Sequence, residues 1–239
     1  MPEPVSGYAR TRLSRIHGRL VPHRWAWAEA NAAAIAAHWA RRRAERPGLF
    51  DGIVLLACGC EVADGAATVA LFEARFSALL AFRDWGAPDG SVANAFAAIA
   101  PVGRCGGVVL GRMGRHTANA GRVYFPCGTP DRADVSGDRV ALAESAAREL
   151  AEETGLSVPE GAPESWVLLR GEGYLAFLRP VRFREDADAL VARMERHRLA
   201  EAEPELDGFL VARTRSDIDA ERMPGFVQDY LGAILKDQG

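Results

Sequence analysis

The sequence predicts an α+β protein, because stretches with the periodicity of strands and of helices are interspersed along the whole chain. Residues 53–56 and 108–110 are short apolar runs typical of buried strands, whereas residues 72–82 place apolar side chains at helical spacing. Hydrophobic residues make up 49% of the 239 positions, which is enough for a substantial core. A chain of this length forms one large domain or two smaller ones.

The first 90 residues are predicted to form an N-terminal α+β extension. Residues 1–22 are basic and weakly patterned. Beyond them we expect an alanine-rich helix, two paired strands and an amphipathic helix, at residues 23–46, 52–57, 66–71 and 72–85. Pro47 and Gly48 end the first helix. This extension need not fold independently.

Residues 91–239 are predicted to form the core of the protein, with a helix at the C-terminus. The strands expected there are residues 92–100, 106–113, 122–127, 166–169, 174–178 and 208–211. The helices expected there are residues 141–154, 185–198 and 217–236, the last interrupted at residues 223–225.

Charge and hydropathy exclude several classes of partner. The net charge is −3, whereas nonspecific nucleic-acid binding needs a basic surplus, so no nucleic-acid partner is expected. No apolar run reaches the length of a transmembrane span, and no membrane partner is expected. The N-terminus lacks a hydrophobic signal core, which predicts a cytoplasmic protein. The four cysteines fit a reducing compartment.

One helical turn concentrates acidic side chains. Residues three and four apart share a helix face, so Glu149, Glu152 and Glu153 bring three carboxylates together, and like charges at this spacing repel. A divalent cation removes that repulsion, and carboxylate oxygens suit Mg²⁺ or Mn²⁺. The alternative interpretation is an ordinary solvated face on which Arg148 only pairs with Glu152.

The turn lies within a longer motif. Residues 148–156 read Arg-Glu-Leu-Ala-Glu-Glu-Thr-Gly-Leu. This order resembles the second half of the Nudix box, the signature of hydrolases that cleave nucleoside diphosphates linked to another moiety. The resemblance covers roughly residues 92–215 and implies a Nudix-type α/β/α sandwich with a mixed sheet and a Mg²⁺ or Mn²⁺ cofactor.

The first half of the box departs from the family pattern. Counting back from Arg148, Val140 occupies the position of the family's glutamate. If the box instead begins at Gly128, Asp134 follows after five residues, and the spacing onward to Arg148 is six residues too long. We therefore expect an enlarged loop before the catalytic helix. The acids that could replace the missing glutamate are Asp134, Asp138 and Glu144.

The resemblance also implies roles for individual residues. Glu149, Glu152 and Glu153 would bind the metal, and one of them, or a residue outside the box, would act as general base. Arg148 would orient Glu152 without touching substrate. The backbone carbonyl of Gly128 would complete the metal site.

Other residues are candidates for contacts with the substrate. Trp85 could stack on a base and Arg83 could hold a phosphate, or both could simply close the core. Acidic residues beyond the box could bind a further metal or orient water, although acidic loops are common. The full set of candidates is Arg83, Trp85, His116, Asn119, Arg122, Glu203 and Glu205.

The expected function is Mg²⁺-dependent hydrolysis of the diphosphate linkage in a nucleoside diphosphate derivative. Residues 128–131 resemble a branch of the family that acts on UDP-sugars, so a nucleotide sugar is favoured over ADP-ribose, NADH or coenzyme A. The alternative is a non-catalytic Nudix-fold protein that binds or senses a nucleotide. A serine hydrolase is disfavoured because no Gly-x-Ser-x-Gly elbow is present. The aromatic-rich N-terminal region is a candidate homodimer interface.

Overall fold

The computed structural model describes residues 7–237 and contains strands and helices throughout that range. In chain order the strands are β1 (Ala9–Leu13), β2 (Arg15–Leu20), β3 (Ile53–Ala63), β4 (Ala66–Arg75), β5 (Asn94–Val102), β6 (Val108–Met113), β7 (Val123–Tyr124), β8 (Val135–Ser136), β9 (Arg139–Val140), β10 (Trp166–Gly171), β11 (Tyr174–Arg182) and β12 (Leu206–Ala212). The helices are α1 (Ala26–Ala30), α2 (Ala32–Glu45), α3 (Phe76–Asp84), α4 (Leu142–Thr154), α5 (Ala187–Arg198) and α6 (Gly225–Ile234).

The larger sheet carries helices on both faces. Its strand order is β1-β10-β11-β5-β6-β12, with β7 added alongside β6, and β11 and β5 run parallel in an otherwise antiparallel sheet. Alternate residues of β5 enter two different cores, as the period of a strand dictates. Ala97 lies in the core that contains α4 and α5, and Phe96 lies in the core that contains α6. The predicted α+β class is confirmed.

A second, smaller sheet completes the first of these cores. Its order is β3-β4-β2-β9-β8, and β2 and β4 run parallel. Strand β1 belongs to the larger sheet, whereas β8 and β9 belong to the smaller one, so both sheets combine segments from before and after residue 90. The division of the chain at that residue stays a prediction. Strands from the two parts pair with each other within both sheets.

The segment before α4 is more ordered than the enlarged loop expected from the sequence. It contains a short 3₁₀ helix, Arg132–Asp134, followed by the hairpin β8–β9. Strand β9 pairs with β2, where Gly18 faces Val140. A Cβ atom on Gly18 would lie 2.7 Å from the Val140 carbonyl oxygen, so only glycine allows this close approach. The smaller sheet therefore anchors the start of α4.

Several predicted boundaries in the extension are wrong. Residues 9–13 and 15–20 form strands although their sequence is weakly patterned, because their partners lie far along the chain. The helix expected at residues 23–46 begins at residue 26 and is divided at Asn31. The helix expected from residue 72 begins at Phe76, since the preceding four residues extend β4 in register with β3. Residues 1–6 of the expected N-terminal segment lie outside the described range.

Several boundaries in the core are also wrong, and strand β11 continues four residues beyond its expected end at residue 178. The strand expected at residues 122–127 contains only Val123–Tyr124. The helix expected at residues 217–236 begins at Gly225, because Pro224 immediately before it has an extended conformation with ψ of 155°. The helix expected at residues 141–154 is confirmed to within one residue. None of the helices described between residues 7 and 237 is both long and apolar enough to cross a membrane.

Replacing Gly18 by alanine is expected to destabilise the fold by about 1–3 kcal/mol, because the new methyl group overlaps the backbone of β9. The free energy of unfolding, measured with urea, checks this value. The matched control is Gly59→Ala in β3, where the nearest neighbour of the new methyl group is the Ala70 Cβ at an ordinary 3.6 Å. Equal stability of the two variants would contradict the close packing of β9 on β2.

Candidate functional site

The acidic turn of α4 is partly inside the protein. One face of α4 packs against the core and contains Leu142, Ala146, Leu150 and Glu153. Their spacing of three or four residues is that of a single helix face. Glu153 is 8% exposed, and the side chain of Glu149 is 16% exposed. The side chain of Glu152 is 60% exposed. The predicted trio therefore consists of two sheltered carboxylates and one that reaches solvent.

Helix α4 ends directly after this turn. Gly155 adopts φ of 66°, a left-handed conformation that terminates helices and suits glycine. A Cβ atom there would also lie 2.8 Å from the ring of His197 on α5. A ring nitrogen of His197 is hydrogen-bonded to the Glu152 carbonyl oxygen at 2.9 Å. Helix α5 thus fixes the position of the acidic turn.

Gly128 lies against the sheltered carboxylates. A Cβ atom on this residue would lie 2.9 Å from both Cδ and Oε1 of Glu149. Any larger side chain would displace that carboxylate, so glycine is required where the backbone passes the acidic turn. Gly128 and Glu149, which are 21 positions apart in the sequence, are therefore neighbours in space.

The Glu153 carboxylate lacks the partners that a buried charge normally has. Its Oε2 atom is buried and forms no hydrogen bond within residues 7–237. Desolvation, followed by repulsion from Glu205 and Glu149, raises the pKa of Glu153 from its ordinary value of 4.5 to about 9. A positive charge placed beside Glu153 would stabilise its ionised form and lower this pKa.

The pKa of Glu149 is raised less. Desolvation raises it and the attraction of Arg148 opposes the change, and the result is a pKa of about 6 against the ordinary 4.5. Desolvation also raises the pKa of Glu205, and His116 opposes the change. Glu149, Glu153 and Glu205 therefore form one electrostatically coupled acidic cluster, although the motif contains only the first two.

Arg148 connects the turn to the segment before α4. Its guanidinium contacts Glu149 Oε1 at 2.9 Å and Glu152 Oε2 at 3.0 Å. It also donates to Asp134 Oδ1 at 3.0 Å, and the Asp134 side chain is only 5% exposed. Arg148 is therefore held in place by a buried acid from outside the helix.

This contact distinguishes the three acids considered as replacements for the missing glutamate. Asp134 contacts Arg148 and also accepts a hydrogen bond from the backbone of Asp131. Asp138 instead pairs with Arg19, and Glu144 pairs with Arg139. Asp134 is thus the acid that is structurally linked to the motif.

The donor set fits a divalent cation. Glu149 and Glu153 supply hard oxygen ligands, Glu153 has an unpartnered oxygen, and the Gly128 backbone lies alongside Glu149. In residues 7–237, no three acidic, histidine or cysteine side chains already converge as a complete ligand set. Glu152, which is exposed and paired with Arg148, would have to turn inward to contribute.

A cavity of about 640 Å³ opens beside Gly128, between α3 and the larger sheet. Among the candidates for substrate contacts, those that line it are Arg83, Asn119, Arg122 and Glu205. The remaining candidates, Trp85, His116 and Glu203, are exposed and do not line it. Trp85 packs instead against Trp27, with ring centroids 5.7 Å apart.

Sequence reasoning missed several residues of the cavity wall. Tyr124 accepts a hydrogen bond from Asn119, and Asn94 accepts one from Thr129. Aromatic side chains and an acid from the β10–β11 turn complete this part of the wall, namely Tyr174, Phe226 and Glu172. In the sequence these residues have the pattern of core or turn positions, and no local signal marks them as functional.

Comparison with known proteins gives no independent assignment. No protein-family model matches the chain, and no curated protein is significantly similar to it. The relationship to the Nudix hydrolases is therefore a proposal based on residues 148–156, on Gly128 and on their arrangement in space.

Burial of Glu153 predicts a pH-dependent stability in the presence of EDTA. Because the pKa of Glu153 is raised on folding, the folded protein keeps a proton that the unfolded chain loses above pH 4.5. This stabilisation is complete below pH 4.5 and is lost as the pH rises toward about 9, by at most about 1.4 kcal/mol per pH unit.

Urea denaturation between about pH 6.5 and 9 tests this prediction. The Glu153→Gln variant should lose most of the slope, because glutamine does not titrate. The control, Glu144→Gln, changes an exposed acid on the same helix and should keep the slope of the unmodified protein. Parallel profiles for the unmodified protein and Glu153→Gln would contradict the burial of an unpaired carboxylate.

Proposed function

We propose that this protein is a Mg²⁺- or Mn²⁺-dependent hydrolase that cleaves the diphosphate linkage of a nucleoside diphosphate derivative. The observation that carries the proposal is the buried, unpartnered Glu153 carboxylate beside Glu149, with the Gly128 backbone packed against them. The resemblance of residues 148–156 to the Nudix box supplies the reaction class. The cavity next to this cluster supplies space for a substrate.

The chemistry of diphosphate hydrolysis fits an acidic cluster of this kind. The barrier is largely electrostatic, because an anionic phosphate must accept a nucleophile while another phosphate leaves. A bound divalent cation would offset the phosphate charge and align the attacking and leaving oxygens. Glu149 and Glu153 would hold the cation with fixed, sheltered carboxylates, which need little reorganisation during the reaction.

Arg148 and Asp134 would act as positioning residues. The Asp134 carboxylate fixes the guanidinium of Arg148, and this guanidinium holds Glu149 and Glu152 at 2.9 and 3.0 Å. Glu205, whose pKa is raised by desolvation, is the acid outside the motif best placed to accept a proton from the attacking water. Glu152 is the alternative base, since its exposed carboxylate can reach solvent.

The cavity volume suits a nucleotide carrying a second organic group. A volume of about 640 Å³ lies within the usual range for small-molecule sites, roughly 300–1,000 Å³. We favour a nucleotide sugar because residues 128–131 resemble the branch that acts on UDP-sugars. Cytoplasmic location and homodimer formation stay predictions.

Incubation with nucleoside diphosphate derivatives tests the reaction. UDP-glucose, ADP-ribose, NADH and coenzyme A would each be supplied with Mg²⁺ or Mn²⁺, and products would be identified by mass spectrometry. We expect hydrolysis of at least one compound at its diphosphate. Tight binding of one compound without any cleavage would instead favour a nucleotide-binding protein that is not an enzyme.

Replacing Glu152 or Glu153 by glutamine is expected to lower kcat by several orders of magnitude, because Glu153→Gln removes a carboxylate that would hold the cation and Glu152→Gln removes a candidate base. Both variants should remain folded, as judged by circular dichroism. Glu144→Gln, on the same helix, serves as the control and should retain activity. Full activity of Glu153→Gln at saturating Mg²⁺ would overturn the assignment.

A further inference from the structure

The cavity wall includes an arginine from the N-terminal extension. Arg83 lies near the C-terminal end of α3, and its half-buried side chain lines the cavity together with Arg122. Arg83 Nη2 donates a hydrogen bond to Asn119 Oδ1 at 2.6 Å. Within residues 7–237, neither arginine has an acidic side chain at ion-pair distance, and the Arg122 side chain donates only to the backbone carbonyl of Glu221.

Asp84, the acid next to Arg83 in the sequence, already has other side-chain partners. Asp84 is held by His38 at 2.8 Å and lies 3.3 Å from Arg42 Nε. This carboxylate thus already has two partners, while the adjacent guanidinium of Arg83 has only the neutral amide of Asn119. A guanidinium carries five donors in a planar fork, and a single amide oxygen leaves most of them available.

Arg83 begins a chain of hydrogen bonds that ends at Tyr124, on the wall of the same cavity. Asn119 accepts from Arg83 and donates its Nδ2 hydrogen to the Tyr124 hydroxyl oxygen at 2.9 Å. Gly128, which packs against Glu149, and Glu205 line the same cavity as Arg83. Arg83 is therefore close enough to the acidic cluster to reach the same substrate.

We propose that Arg83 binds a phosphate of the substrate and so makes the N-terminal extension part of the substrate site. The inference rests on the proposed function for the identity of the substrate, but it concerns binding and not cleavage. Bidentate recognition of phosphate oxygens is the contact for which a guanidinium is best suited. The Tyr174 and Phe226 rings, 5.7 Å apart, provide an apolar part of the same wall for the organic group.

A purely structural role is the alternative for Arg83. Its bond to Asn119 ties the loop before β7 to α3, and Arg46 donates to Ala118 of the same loop at 2.6 Å. Loss of a tether would disturb every ligand, whether charged or neutral. Loss of a phosphate contact would weaken only ligands that carry phosphate.

Binding of uncleavable ligands separates these two roles. The probes are α,β-methylene-ADP and α,β-methylene-UDP in Mg²⁺, and the uncharged comparison ligands are adenosine and uridine, all measured by isothermal titration calorimetry on the full chain. Arg83→Ala is expected to raise the Kd of the methylene diphosphate that binds the unmodified protein by roughly 10- to 100-fold. Binding of the matching nucleoside should change less than twofold.

The Asn119→Asp substitution is expected to keep the hydrogen bond between residue 119 and Arg83, and to neutralise the charge of the Arg83 guanidinium. The aspartate can still accept from Arg83 and from the Tyr124 hydroxyl, but it gives Arg83 an acidic partner that competes with phosphate. We expect weaker methylene diphosphate binding, in the same direction as Arg83→Ala. The control is Arg75→Ala, an exposed arginine bonded to the Asp51 carbonyl outside this cavity, and it should leave the Kd unchanged.

The outcomes are distinguishable. Unchanged diphosphate binding in both Arg83→Ala and Asn119→Asp would overturn the role of Arg83 while leaving the hydrolase proposal intact. Equal weakening of nucleoside and diphosphate in Arg83→Ala, with no effect of Asn119→Asp, would assign Arg83 to the tether and also overturn it. Selective loss of diphosphate binding in a protein that cleaves nothing would support the inference and refute the hydrolase.

Discussion

The arrangement of the candidate site depends on one unfavourable interaction, the burial of the Glu153 carboxylate next to Glu149 and Glu205. A buried carboxylate without a partner is costly, and its pKa rises to about 9 as a result. Leu150 and Ala146 lie on the same buried face of α4, so packing of the helix forces Glu153 inward. The hydrophobic core thus provides the free energy that holds the acid in place.

The surrounding structure keeps the acidic turn from relaxing. The smaller sheet anchors the start of α4 through β9, and α5 fixes its end through His197. Arg148 pairs with acids on the outer side of the turn and, within residues 7–237, forms no ion pair with Glu153, because Glu153 lies on the inner side. The cluster therefore combines a rigid scaffold with an incompletely compensated negative charge, which are the properties expected of a cation site.

The sequence predicted the parts of the site that depend on local periodicity. The boundaries of α4 and the stop at Gly155 follow from helical spacing and glycine conformation, whereas the division of the three glutamates into two sheltered carboxylates and one exposed carboxylate does not. Contacts between distant segments were not predictable in this way. Nothing local in residues 9–20 indicates pairing with β10 and β4, and nothing local to Asp134 shows that it reaches Arg148.

The cavity shows the same division. Arg83, Asn119 and Glu205 were candidates because their side chains have the chemistry to contact a nucleotide or its metal, yet Trp85 and His116 were candidates on the same kind of argument and lie outside the cavity wall. Only the packing of α3 against the larger sheet distinguishes them. The motif predicted that Gly128 belongs to the site. The physical reason for a glycine there is the close approach of the Glu149 carboxylate, which only the folded structure shows.

The most direct test of the central claim is the position of a bound Mn²⁺ ion, located by its anomalous scattering in crystals of the full chain grown with saturating Mn²⁺. The account predicts an anomalous peak at coordination distance from Glu153 and Glu149, on the side that faces Gly128. A structure in which Glu153 remains without a cation while Mn²⁺ binds elsewhere, or nowhere, would contradict it.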